Sequence, residues 1–375
     1  MKTNPDVVII GGGLAGLTGA IHLSKKGLKV TLIEKSDYPR HKVCGEYISN
    51  EILPYLIWLG ADVSQLSPTN ITEFEFTTLN GKMAKTELPL GGFGISRYTL
   101  DLFLYQKALE NGCTIIKETV SDVSFSTDLF TITTPEQTIS AKIVLGAFGK
   151  RSNMDQVLFR DFITKKSPWL AVKAHYSGEF PEDVVALHNF NGGYCGVSKV
   201  ENNIINVCYL ADYATFKKYK NIDEYQQNVL YKNKHLKNVF ENYQPVFEKP
   251  LTISQISFDK KQPVENHILM IGDTAGLIHP MCGNGMAMAI HSAKIASELV
   301  LDYHSGKIKS REILEKKYAR EWKMNFGKRL LMGRLLAKAL TSKSITNTFV
   351  SIVASMPLVL KAIIKQTHGK PITIN

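Results

Sequence analysis

Hydrophobic positions along the chain change period twice. Val7–Ile10 is a short β-branched apolar run, the pattern of a strand buried on both faces. Three glycines follow at once. Apolar positions then recur at helical spacing over residues 14–26, Gly27 is placed to end that helix, and residues 28–33 read as a second strand. Strand, glycine turn, helix and strand predict a right-handed βαβ unit. The middle of the chain alternates instead. Residues 71–90 read as two strands joined at Asn80-Gly81, and residues 170–210 as further strands with a turn at Asn202-Asn203.

Helical spacing is expected from Ser49 to about Gly60, over 98–112, and through the polar stretch 213–243. Short strands are expected at 114–116, 120–125, 130–133 and 139–145. A last buried strand, 268–271, leads through Gly-Asp-Thr-Ala-Gly into a helix over 285–303, and a helical tail from Arg311 is interrupted at Pro357. A β-rich middle between two α/β parts predicts a nucleotide-binding domain interrupted by a sheet-based one.

The glycines carry the first chemistry. Gly11-x-Gly13-x-x-Gly16 falls at the strand-to-helix junction, where Gly11 allows a tight turn and Gly13 lets the backbone approach a pyrophosphate. Gly16 lets the helix lie against the strand, and unpaired amides at the helix N-terminus face the phosphates. Glu34 ends the second strand 18 residues after Gly16, where a carboxylate accepts hydrogen bonds from a ribose. An acid there favours FAD or NAD over NADP.

Composition narrows the class. With 375 residues, 44% hydrophobic and 21% charged, the chain has the make-up of a folded soluble protein of one to three domains. No run of 18 apolar residues predicts a spanning helix, and the chain enters its first strand without the pattern of a secretion signal. Five scattered cysteines without a CxxC pair support neither a disulfide framework nor a metal site, and fit a reducing cytoplasm. The net charge of +11 is concentrated at one end: from Lys307 onward there are 15 Lys and Arg against 3 Asp and Glu.

The late segment GDTAGLIHPMCGNGMAMAI supplies a second anchor. Its strand would carry Asp273 to the carboxyl end of the sheet, beside the crevice where such sheets bind ligands. With the opening motif it resembles the FAD-binding proteins of the aromatic-hydroxylase and geranylgeranyl reductase superfamily. The resemblance runs in motif order over residues 7–303. It implies an α/β fold: a Rossmann-type, three-layer FAD-binding domain like that of glutathione reductase, with an inserted, mainly antiparallel β-sheet substrate domain. The expected divisions are 1–68, 95–165 and 255–305 for the FAD domain, 69–94 and 166–254 for the substrate domain, and 306–375 for the basic helical tail.

The resemblance also implies a site. Asp273 would hold the ribityl chain, and Pro280, Gly283 and Gly285 would lie over the isoalloxazine. Arg97, in SRYTLDLFL, matches an arginine that contacts FAD, and Ala15, Lys35 and Val120 are expected beside the cofactor with Gly11, Gly13, Gly16 and Glu34. The single GxGxxG leaves NAD(P)H as a transient electron donor. Two departures stand out. Phe148, in GAFGKRS, replaces an acid linked to NADPH-dependent hydroxylation in many relatives. The loop His41-Lys-Val-Cys-Gly-Glu46 resembles the Cys-Gly loop of the reductase branch, which places Cys44 and Gly45 near the flavin, but that branch usually has a second glycine where Glu46 stands.

Cys44 reads either as pocket-lining or as a buried apolar residue, and His41 and Glu46 either as proton-transfer groups or as a solvated loop. Tyr194 faces the flavin or packs in the sheet. The Trp-x-Trp-x-Ile-Pro pattern of the halogenases is absent, which disfavours halogenation. The expected activity is an FAD-dependent oxidoreductase acting on a hydrophobic polyprenyl, polyketide or aromatic molecule, by hydride transfer to a double bond. An NAD(P)H- and O2-using monooxygenase is the alternative, and a non-catalytic flavin- or lipid-binding protein is the alternative of another class. Residues 326–364, which mix aliphatic side chains with Lys and Arg alone, read as a helical hairpin on an anionic membrane surface or as a cap on the FAD domain. Nucleic acid is not expected, because aromatic residues are sparse there.

Overall fold

The opening strand organises the first half of the structure, a computed structural model that describes residues 4–341 and 357–374. Val7–Ile10 pairs in parallel with Val30–Ile33 on one side and with Ile143–Gly146 on the other. Thr114–Ile116 and Ile268–Met270 extend the parallel sheet, and Val264–Glu265 closes one edge antiparallel. All four residues of the opening strand are buried, as its uniform apolarity requires. Helix Leu14–Lys25 packs on the long helix Gly285–His304, so the two glycine-bearing segments become neighbours across about 270 residues of chain. An antiparallel meander, Asp122–Ser126, Leu129–Thr133 and Thr138–Ala141, makes the crossover between the third and fourth parallel strands, and its Phe130 and Ile132 share the core with Val7 and Leu17.

The second sheet has nine strands, antiparallel except where Val184–Phe190 runs parallel to Thr69–Thr77. Its first strand, Tyr47–Ser49, comes from within the span 1–68 and pairs with the end of Met83–Gly94, so the chain after the opening βαβ unit is sewn directly onto this sheet. Gly81 takes φ +75° at the expected hairpin, and Asn202 and Asn203 both adopt positive φ at the expected turn.

The stretch 213–243 is helical as expected and is divided into three α-helices, Tyr213–Phe216, Ile222–Val229 and Lys234–Asn242, because the side chains of Asp212, Asn221 and Asn233 each cap a new start. The strand expected from Val120 begins at Asp122, and Val120 lies buried in the loop before it.

The tail forms helix Arg311–Thr341, which buries Leu314, Tyr318, Trp322 and Phe326 in the core of the first half. The Tyr318 hydroxyl donates to the Met270 carbonyl. A second helix, Pro357–Thr367, lies along Met83–Gly94 and places Leu360 and Ile364 with Phe76 and Leu88. Residues 342–356 of the expected hairpin lie outside the described residues. No helix among the described residues is long and apolar enough to cross a membrane.

Candidate cofactor and substrate site

The glycines of the opening turn have separate tasks. Gly11 has φ +107° and its position faces the Ala147 backbone so closely that any Cβ would strike the carbonyl. A Cβ on Gly16 would strike the Gly11 carbonyl, so Gly16 is the point where helix meets strand. Around Gly13 there is open space: nothing lies within 4 Å of where its Cβ would be. Gly13 is the N-cap of the helix, no side chain caps it, and the first turn carries no acid. Free amides beside open space suit the pyrophosphate of FAD.

Glu34 is buried at the end of the next strand. It accepts from the Gly12 amide at 2.8 Å, the Ser36 amide at 3.0 Å and Arg40 Nη2 at 3.0 Å, and it lines the same cavity. Arg40 is thus paired with the acid rather than presented to a phosphate. The carboxylate has capacity left for a ribose hydroxyl.

The late segment closes the crevice from the other side. Asp273 lines the cavity, and its carboxylate has no hydrogen-bond partner among the described residues. Its backbone is held firmly. The neighbouring Gly272 amide donates to Ser292 Oγ at 2.8 Å, and buried Lys261 donates to the Asp273 carbonyl at 3.0 Å. Burial lowers Lys261 to about 8. Gly283, at φ +63°, lies against the Tyr47 ring, and the helix from Gly285 again starts without a side-chain cap or a first-turn acid. That positive helix end suits an electron-rich ring system. An unpartnered carboxylate for a polyol, uncapped amides at two helix starts and unfilled space at Gly13 fit FAD.

The Cys-Gly loop bridges the two halves. Cys44 lines the cavity, with Sγ 3.4 Å from Met286 Sδ, and it lies beside the Arg97 guanidinium. Arg97 makes a two-pronged bond to buried Asp101, at 2.7 and 2.8 Å, and Lys42 completes that cluster at 2.6 Å. Glu46 is fully buried, so the solvated-loop reading of this acid fails. It accepts from Lys173 Nζ, from His175 Nε2 at 2.7 Å and from the Arg97 amide at 2.7 Å. Burial alone would raise the Glu46 carboxyl, but the His175 bond and the Lys173 charge outweigh it and hold it below the ordinary range. Glu46 also sits at φ +53°, the left-handed region, which explains why a glycine suits this position in proteins of the resembled branch. His41 is half-buried, stacked on Tyr98 and edge-on to His175.

Beyond Cys44 the cavity turns apolar. It encloses about 750 Å³ and runs without interruption from Gly11 and Gly13 to Phe74, Phe76, Leu88, Leu360 and Ile363. Tyr194 is buried on this wall, its hydroxyl 3.5 Å from His279 Nδ1. His279 sits among Trp169, Tyr194 and Phe258, and burial lowers it to about 4, so it is neutral.

The structure therefore brings Gly11, Gly13, Ala15, Glu34, Lys35, Cys44, Gly45, Arg97, Val120, Tyr194, Asp273, Pro280, Gly283 and Gly285 onto one cavity. Gly16 stands behind it, in the helix–strand contact. Phe148 and Gly149 also line it, and the Gly149 amide donates to Thr274 Oγ1 at 2.8 Å. Tyr47, Lys173, His175, Ser292, Lys261 and His368 escaped the sequence reading. Only Tyr47, next to the Cys-Gly-Glu run, had a local signal. No cluster of His, Cys, Asp or Glu suited to a metal occurs among the described residues.

Comparison with known proteins agrees with this geometry. Residues 6–43 match the family model described as FAD dependent oxidoreductase. The digeranylgeranylglycerophospholipid reductase of Methanosarcina acetivorans is 26% identical over 349 residues, covering 87% of this chain and 82% of that protein. Among solved structures, a geranylgeranyl bacteriochlorophyll reductase-like protein from Thermoplasma acidophilum is 20% identical, with a TM-score of 0.76 over 96% of each chain. The flavin-dependent brominase Bmp2 is 19% identical, with a TM-score of 0.78 over 96% of this chain and 92% of that one. These structures share the fold while carrying different reactions.

Proposed function

We propose that this chain, an FAD-dependent oxidoreductase by its opening signature and its fold, reduces a double bond of a hydrophobic small molecule. The observation that carries the reading is the continuous cavity. One end is built for a dinucleotide and the other is a greasy pocket closed by aromatic and aliphatic side chains. A bound, reduced flavin would supply hydride from N5.

The chain's own residues prepare the site. Asp273 and the amides after Gly13 hold the cofactor's polar length. Cys44, Gly283 and Met286 flank the space for the ring. Phe74, Phe76, Leu88 and the helix Pro357–Thr367 exclude water from the pocket where the substrate lies. The reductase reading is favoured over oxygen-dependent hydroxylation by the Cys44-Gly45 loop and by Phe148, which puts an apolar ring where an acid serves the hydroxylases. A nicotinamide docks transiently as the electron donor. The tail adds a peripheral membrane contact, through exposed Met324, Leu331, Leu335 and Leu358 interspersed with basic residues.

The test reduces the FAD-loaded protein anaerobically and then adds candidate lipids, polyketides or phenols. Flavin reoxidation that depends on the added molecule and needs no oxygen is the expected result. Oxygen consumption coupled to that molecule would replace the reductase with a monooxygenase. A flavin that no donor can reduce would leave only a binding role.

A further inference from the structure

Behind the wall of the cavity stands a buried cation. Lys261 is 5% exposed and is not itself a lining residue. Its ammonium donates to two main-chain carbonyls, Lys150 at 2.9 Å and Asp273 at 3.0 Å, and stands 4.3 Å from the centre of the Phe162 ring. Two carbonyls and one ring face match the three donors of an ammonium in number. Asp155 and Asp273 attract it at longer range, without a side-chain hydrogen bond among the described residues. Lysine is almost never buried unless its charge is paired, so this one calls for a use.

The two carbonyls come from different turns. Lys150 follows the strand Ile143–Gly146, Asp273 follows the neighbouring parallel strand Ile268–Met270, and both residues line the cavity. Other bonds fasten the same turns. The Gly149 amide donates to Thr274 Oγ1 at 2.8 Å. Arg160, paired with Asp155 at 3.0 Å and Glu265 at 2.6 Å, donates to the Thr274 carbonyl at 3.0 Å. Lys261 holds Asp273 itself, the residue whose carboxylate is free in the cavity.

We infer that Lys261 is a positioning residue for the cofactor: its charged ammonium ties the Lys150 and Asp273 backbones together, aims the Asp273 carboxylate and places a positive charge behind the crevice that receives anionic FAD. A neutral amine would keep two N–H groups, but its bonds to the carbonyls are weaker and it loses the attraction of the ring.

The charge can be titrated. Burial lowers Lys261 to about 8; Asp155 and Asp273 oppose that shift, and Arg160 and Lys150 add to it. The pyrophosphate of FAD favours the protonated form, so proton and cofactor bind together. Affinity is therefore full below about 8 and declines above it. Stability of the FAD-free fold moves the other way. The folded-state pKa lies below the ordinary 10.5, so between the two values the unfolded chain binds more protons and the fold gains as pH rises. A lysine that only supported the fold would not set affinity against stability.

The inference rests on the cofactor reading of the cavity, and one titration separates the two. FAD is added to the FAD-free full chain from about pH 7 to 9.5, followed by flavin fluorescence, with thermal midpoints of FAD-free samples alongside. The parent should lose about tenfold or more in FAD affinity over that range. Lys261→Met should bind about ten- to a hundredfold more weakly at pH 7, with a flat profile, and its midpoint relative to the parent should fall as pH rises. Lys261→Gln, uncharged and nearer in polarity, serves where Lys261→Met does not fold. A parent affinity independent of pH, a decline shared by the variant, or a variant equal to the parent at pH 7 would each overturn the inference and leave the cofactor reading standing. Failure of the parent to take up FAD at any pH would remove both.

Discussion

Arg329 Nη1 lies 2.9 Å from Glu51 Oε1, a fully buried carboxylate that joins three parts of the chain. The same arginine nitrogen donates to Asn284 Oδ1 at 3.1 Å, Asn284 returns a bond to Glu51 at 3.3 Å, and the Gly369 amide caps the other carboxylate oxygen. One acid near the start of the chain thereby fixes the loop between Gly283 and Gly285, the long tail helix and the segment bearing His368. Charge on the tail is spent partly in the interior, not only at its surface.

Breaking this cluster should therefore act at a distance. Arg329→Met leaves Glu51 buried without its cation and should cost about 3–5 kcal/mol. Thermal unfolding would measure the loss, and hydrogen exchange should show the amides of 357–374 opening first. Unchanged exchange there would mean that the chain end is held by its apolar contacts alone.

The two motif glycines should fail differently. Gly11→Ala meets the Ala147 backbone at a left-handed φ, so it should lower stability as well as FAD content. Gly13→Ala has room in the protein, but its methyl occupies the space reserved for the pyrophosphate. Its FAD-free form should melt within about 1 kcal/mol of the parent while FAD affinity falls at least tenfold, as measured by differential scanning calorimetry and fluorescence titration.

Glu46 should make the protein acid-sensitive. Its folded-state pKa lies below the ordinary value of 4.5, so its contribution is fully present above that value and is lost as the pH falls through the lowered one. Denaturant midpoints measured across pH 6 to 3 should fall more steeply for the parent than for Glu46→Gln. The variant should also be less stable at neutral pH, because Lys173 is left buried without its counter-charge. Parallel curves would place the acid sensitivity elsewhere, with Asp101 the next candidate.

The membrane contact predicts co-flotation with anionic vesicles that weakens as salt is raised. Replacing Met324, Leu331, Leu335 and Leu358 with serine should abolish it while the buried face of the helices is untouched. Binding that persists in this variant would locate the contact on another surface.

The legible parts of this protein were those where a local requirement leaves a local mark. Gly11 and Gly13 stand out because a turn and a phosphate-sized gap exclude side chains, and the four-residue opening strand because burial on both faces demands unbroken apolarity. The stretch 213–243 was legible as helical, and the side chains of Asp212, Asn221 and Asn233 divide it into three. Glu46 was harder to read. An acid in a polar loop looks solvated, and only Lys173 and His175, more than 120 residues away, reveal it as buried.

By itself, then, the sequence determined the βαβ start, the second glycine segment and the expectation of a dinucleotide, since backbone geometry and period are properties of adjacent residues. Tertiary structure alone decided which side chains face one another: Glu51 with Arg329, Tyr47 with His368, Glu46 with Lys173. Such pairs depend on how helices and sheets pack across hundreds of residues, and the free energy of a buried charge or an unmet hydroxyl is set by those neighbours. No window of sequence contains them.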